Sequence, residues 1–115
     1  MTAVARRRRL EGPAPVFEAL GDATRLALVT RLCDAGPMSI ARLTSGTDIS
    51  RQGVTKHLQV LEGAGIVRGS RRGRERIWEV DARQLEIARR FLEQASQRWG
   101  QALDRLRAFV EDREA

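Results

Sequence analysis

A mainly α chain with one small β-hairpin is the fold class the sequence predicts, and three observations predict it. Apolar residues recur at helical spacing over most of the chain. One short basic segment sets β-prone residues on either side of a turn, and the last third holds an apolar stripe that keeps register for four heptads. A length of 115 residues makes one domain the prior, and 42% apolar with 31% charged residues lies in the globular range.

Taken in order, Pro13 and Pro15 introduce Val16-Phe17-Glu18-Ala19-Leu20, a short apolar helix that Gly21 ends. Asp22 is an N-cap for the next helix, in which Leu26, Val29 and Leu32-Cys33 recur at helical spacing as far as Gly36-Pro37. On that stripe Cys33 is expected to be a small buried thiol rather than a redox sensor. Ser39 caps a brief third helix with Ile40 and Leu43 inward, and Thr44-Ser45-Gly46-Thr47-Asp48 is turn chemistry throughout.

The helix that follows carries the most information. Ser50 can accept from the free N–H groups of its first turn, and Ile49 and Val54 stand at the two positions of a hydrophobic staple. Val54, Leu58 and Leu61 form the inward stripe. At about 100° per residue the opposite face presents Gln52, Thr55, Lys56 and Gln59, all able to hydrogen-bond and none acidic. Gly63-Ala64-Gly65 ends the helix. Ile66-Val67-Arg68 and Arg76-Ile77-Trp78-Glu79-Val80 then read as two strands, with Gly69-Ser70-Arg71-Arg72-Gly73 as a cationic turn between them. Trp78 and Val80 share one face by period two and are expected to close the hairpin onto the helices.

Asp81 caps the last element, whose apolar positions run Leu85, Ala88, Leu92, Ala95, Trp99, Ala102, Leu106, Phe109 in steps of three and four. Phe91, Leu103 and Val110 widen the stripe, and Glu86/Arg90 and Arg89/Glu93 are spaced to pair on the surface. Gly100 is the discordant residue, a place for the helix to kink or divide. As one helix this segment reaches ~45–50 Å, too long for a small domain to cover, so a partner is required and a second copy is the simplest one.

The order of elements is that of a winged helix-turn-helix with a long C-terminal dimerisation helix. Charge placement agrees with a polyanionic partner. The formal net charge is +6, and it comes from residues 1–12, with four Arg against one Glu, and residues 66–80, with five Arg against two Glu. The stretch 81–115 has seven Arg and seven acids and is neutral. A Gln-, Thr- and Lys-bearing helix can enter the major groove of double-stranded DNA, its Ser50 end facing a phosphate, and Gly53 on the outer side leaves room for close backbone approach. Arg71, Arg72 and Arg74 of the wing are cations for phosphate or minor-groove contact. The division expected is a basic, disordered tail over 1–12, a DNA-binding domain over 13–80 and a dimerisation helix over 81–115.

At this point three segments resemble a known family. Phe17-Glu18-Ala19-Leu20-Gly21-Asp22-Ala23-Thr24-Arg25 is similar to the opening of the ArsR/SmtB winged-helix repressors, Ile49-Ser50-Arg51-Gln52-Gly53-Val54-Thr55-Lys56-His57-Leu58 to their recognition helix, and Leu61-Glu62-Gly63-Ala64-Gly65-Ile66-Val67 to the segment after it. The resemblance implies a homodimeric repressor on an inverted-repeat operator. It implies that Arg51 and His57 join the DNA-binding helix, and that Val16, Phe17 and Leu20 join the last helix in the dimer interface. The chain departs from the family's metal sensors. Ser39-Ile40-Ala41 stands where a Cys-x-Cys would be, and residues 81–115 contain no His, so no metal and no cofactor is expected and the residues point to the metal-independent branch. The residues name no effector.

Other classes fit less well. No nucleophile is paired with a base and no Gly-rich phosphate loop is present, which points away from an enzyme. A winged-helix module that binds only protein is the alternative, opposed by the acid-free helix face and the cationic wing. Arg6–Arg9 are followed by Glu11-Gly12-Pro13 rather than an apolar run, so a secretory signal is not expected. One Cys and one His suit the reducing cytoplasm.

Overall fold

The computed structural model describes residues 12–114, and the expectations for the basic tail lie outside them. Helix α1 (Ala14–Leu20) begins directly after Pro13, with Pro15 in its first turn, where a missing N–H costs no helical bond. Helix α2 (Ala23–Ala35) starts at Asp22, whose carboxylate accepts the Arg25 N–H at 3.0 Å. Strand β1 (Met38–Ser39) leads straight into α3 (Ile40–Ser45), and Ser39 caps that helix by accepting the Arg42 N–H. Helix α4 (Arg51–Gly63) follows, capped by Ser50, which accepts the Gly53 N–H at 3.1 Å. Strands β2 (Val67–Arg72) and β3 (Glu75–Val80) form the hairpin, and α5 (Ala82–Glu114) completes the chain.

The sheet has three antiparallel strands in the order β1-β3-β2, one more than the hairpin alone. Met38 pairs with Trp78 and Ser39 with Ile77, so the residues that open α3 are fastened to the centre of the wing. The hairpin turn is tighter than the sequence suggests. Arg72 pairs with Glu75, leaving Gly73-Arg74 as a two-residue connection with Gly73 at φ +65°, a conformation open to glycine at little cost. Gly69, Ser70, Arg71 and Arg72 are therefore strand rather than turn.

One core gathers Leu28 and Leu32 of α2, Leu43 of α3, Leu58 and Leu61 of α4, and Trp78 of β3. Trp78 is 2% exposed, as its position on the inward face required. In α2 the inward stripe is rotated from the expected one. Leu28, Val29 and Leu32 are buried, whereas Leu26 is half exposed and Cys33 is exposed, so the expectation of a buried thiol is corrected. Helix α5 passes Gly100 unbroken. Its first half lies on the domain through Ala88 and Ala95, with the Phe91 ring edge-on to Phe17 of α1 at 5.7 Å. Beyond Gly100 no residue from 101 to 114 is buried. Among the described residues no helix is long and apolar enough to cross a membrane.

Candidate nucleic-acid interface

Helix α4 turns Val54, Leu58 and Leu61 fully inward, which sends the other side of the cylinder to solvent. Arg51, Gln52, Lys56 and Gln59 are exposed there, with Thr55, Gly53 and His57 half-buried at its flanks. The Thr55 hydroxyl donates to the Arg51 carbonyl at 2.9 Å, so its proton is committed to the helix and only its oxygen remains to accept. His57 lies on the side toward Asp22. The Asp22 carboxyl sits below its ordinary range chiefly because it accepts the Arg25 N–H, with smaller contributions from the charges of Arg25 and His57. Within the fold, Gly53 answers a packing demand. A Cβ there would stand 2.5 Å from Ile49 Cγ2, so the absent side chain makes room for the staple residue beneath it.

Two contacts hold the helix-turn-helix together. Ile49 packs on the core beside Val54, and Arg31 of α2 donates to the Leu43 and Arg42 carbonyls at 2.8 and 3.1 Å, closing the C-terminal end of α3. Nothing local in the sequence marks Arg31 for this role, because the carbonyls it meets lie eleven and twelve residues away in the chain.

The five arginines of the wing divide into two sets. Arg68 Nε is 3.0 Å from Glu79 Oε1 across the hairpin, and Arg76 Nη2 is 3.8 Å from Glu62 Oε2 on α4. Arg71, Arg72 and Arg74 are exposed and form no ion pair among the described residues. The register sets Arg71 directly opposite Arg76, two like charges side by side near the tip. Glu62 also accepts the Gly69 N–H at 3.1 Å, a contact absent from the sequence reading. The signal that could have found it is the glycine inside a β-prone run, which marks a close approach.

The expected interface residues between copies fall into three groups by exposure. Phe17, Leu20 and Leu85 are half-buried, while Leu92, Trp99, Ala102, Leu106 and Phe109 are exposed on one side of α5. Val16, Ala88 and Ala95 are buried within the chain itself, the first two in its core. Among the described residues no three His, Cys, Asp or Glu side chains come together to hold a metal ion.

A short capped helix, a polar turn, a second helix with an acid-free outer face and a cationic β-ribbon beside it define a winged helix-turn-helix transcriptional regulator. Known proteins agree. Residues 20–70 match the helix-turn-helix domain family. The chain is 34% identical over 91 residues to the HTH-type transcriptional regulator Rv2034 of Mycobacterium tuberculosis, covering 79% of this chain and 81% of that protein. Its fold superposes on an ArsR-like transcriptional regulator from Rhodococcus with a TM-score of 0.66, at 30% identity, over 91% of this chain and 95% of the other. A homodimeric winged helix-turn-helix domain from Mycobacterium bovis shares the fold at 21% identity and a TM-score of 0.57, over 80% of this chain and 82% of that one. The chain belongs to the ArsR family of transcriptional regulators.

Proposed function

We propose that this regulator is a homodimer that binds an inverted-repeat operator in double-stranded DNA and represses its own operon. The observation that carries the reading is the division of the wing's cations. Arg68 and Arg76 are neutralised within the fold, while Arg71, Arg72 and Arg74 keep their charge free beside the acid-free face of α4. Unpaired guanidinium groups on a ribbon flanking a polar helix suit phosphate or minor-groove contact.

In this reading residues 50–62 lie in the major groove. Gln52, Lys56 and Gln59 reach base edges, Thr55 offers an acceptor, and the Ser50 end of the helix directs its N–H groups at a phosphate. Arg51 and His57 meet the backbone at the two flanks of the helix, and Gly53 keeps the staple packed. The wing, residues 66–80, places its three free arginines on the backbone or in the adjoining minor groove. Residues 81–115 serve dimerisation, with Phe17, Leu20 and Leu85 beside the exposed stripe of Leu92, Trp99, Ala102, Leu106 and Phe109. The Mycobacterium bovis neighbour is homodimeric, which supports self-association of this fold.

Fluorescence anisotropy tests the reading, with DNA from upstream of the regulator's own gene set against a scrambled duplex of equal length. Tighter binding to the first is expected, with log K falling linearly in log salt as the arginines release counterions. Equal affinity for both duplexes refutes it.

A further inference from the structure

Strand β2 is an edge strand of the sheet, so alternate N–H groups along it point away from β3. The Gly69 N–H is one of these, and it donates to Glu62 Oε2 at 3.1 Å. Arg76 reaches the same carboxylate from the far strand. Its guanidinium lies 4.8 Å from the Trp78 ring centroid, crosses β2 above Gly69 and brings Nη2 to 3.8 Å from Glu62 Oε2. The crossing depends on the glycine. A Cβ at Gly69 would lie 2.8 Å from Arg76 Nε and 3.1 Å from Trp78 Cζ3. One carboxylate near the C-terminal end of α4 therefore grips the backbone of β2 and a cation of β3 together.

We propose that Glu62 is a positioning residue, which through Gly69 and Arg76 fixes the angle of the wing to α4 and so makes the wing's phosphate contacts and the helix's base contacts fit one stretch of DNA. This rests on the reading that α4 and the wing bind DNA together. Glu62 lies in the last turn of the helix that enters the groove, and in this scheme its carboxylate faces the wing and makes no DNA contact of its own. Its effect is separable from two simpler ones. Removing a negative charge beside a polyanion strengthens binding to every duplex, and a loss of general stability weakens binding to every duplex. Loss of wing orientation lowers affinity for the operator relative to scrambled DNA.

The test uses Glu62→Ala and Glu62→Gln in the full chain. With no DNA present, amide exchange followed by NMR is expected to show the Gly69 N–H exchanging about tenfold faster in Glu62→Ala, while Leu58 in the core keeps its protection. With DNA, the ratio of operator to scrambled affinity is expected to fall about tenfold in Glu62→Ala. In Glu62→Gln the amide oxygen still accepts the N–H, so most of the Gly69 protection and most of the ratio return. Unchanged Gly69 exchange in Glu62→Ala overturns the proposal, as do operator and scrambled affinities that move by the same factor, or a Glu62→Gln chain no better than Glu62→Ala in both measurements. If the unsubstituted chain does not distinguish the two duplexes, the DNA-binding reading fails on its own, and the exchange measurement still decides whether Glu62 holds the wing.

Discussion

Replacing Leu106 by Ala is expected to weaken self-association and leave the fold of each chain intact. Leu106 is 57% exposed in a stretch of α5 where no residue is buried, so the chain's own packing loses little by the change. Fully burying a leucine stabilises by ~1.5–3 kcal/mol, and covering the exposed part of this one therefore contributes about 1–1.7 kcal/mol. A two-fold axis makes the residue count twice, which gives ~2–3.4 kcal/mol and a dissociation constant raised roughly 30- to 300-fold. Sedimentation equilibrium over a range of protein concentrations measures that constant directly. Ala108 is also exposed but lies on the other side of the helix, so Ala108→Glu is the control and leaves association unchanged. A Leu106→Ala chain that associates within twofold of the original refutes the assignment of this face, as does an Ala108→Glu chain disrupted to the same degree.

Four further outcomes are expected. Trp78→Ala empties the centre of the core and costs ~3–5 kcal/mol in urea unfolding, whereas Trp78→Phe keeps a ring beneath Arg76, removes an indole N–H that has no acceptor among the described residues, and costs far less. Lys56→Ala reduces discrimination between related operators by ~1–3 kcal/mol, while Arg72→Ala weakens binding to all duplexes alike and lowers the salt slope by about one, both readable by anisotropy. The Asp81 carboxyl accepts from the Arg83 side chain and backbone N–H, which lowers its pKa to about 2. A carboxyl depressed in the folded state adds stability that is complete above its unfolded value of ~3.9 and is lost as pH falls toward 2, so Asp81→Asn flattens that acid limb in a pH series of unfolding curves. Gly100 sits in a helix interior with nothing within 4 Å of where a Cβ would stand, so Gly100→Ala raises stability by ~1 kcal/mol, seen as a higher denaturant midpoint.

The features legible in the sequence are those fixed by a few neighbouring residues. Asp22, Ser39 and Ser50 act as caps because each needs only an N–H three residues ahead, and all three are found so placed. The pairings of Arg89 with Glu93 and of Arg90 with Glu86 are likewise local, set by helical spacing alone. In α2 the expected and observed stripes differ because Leu26, Leu28, Val29, Leu32 and Cys33 offer two overlapping apolar faces. Packing against α4 and β3 selects between them, and periodicity cannot. Strand β1 has only two residues, too few to show alternation, and exists because β3 offers its free edge to Met38 and Ser39. In the candidate site, the acid-free face of α4 and the exposure of Arg71, Arg72 and Arg74 could be read from residue type and position. The neutralising partners of Arg68 and Arg76 could not, since one lies across a register set by the turn and the other on a different element.

Because α5 runs through Gly100 as a single rod, the azimuth of its distal patch is locked to the half that packs against Phe17. One residue inserted at Gly100 would swing Leu103, Leu106 and Val110 about the helix axis by ~100°. Seven would restore the azimuth to within ~20° and carry the patch ~10 Å outward. In a symmetric pair, the distance and mutual rotation between the two reading heads are thus encoded in a residue count along α5. For the homodimer proposed above, altering that count would retune the half-site spacing that the pair can span and leave untouched the bases that each half reads.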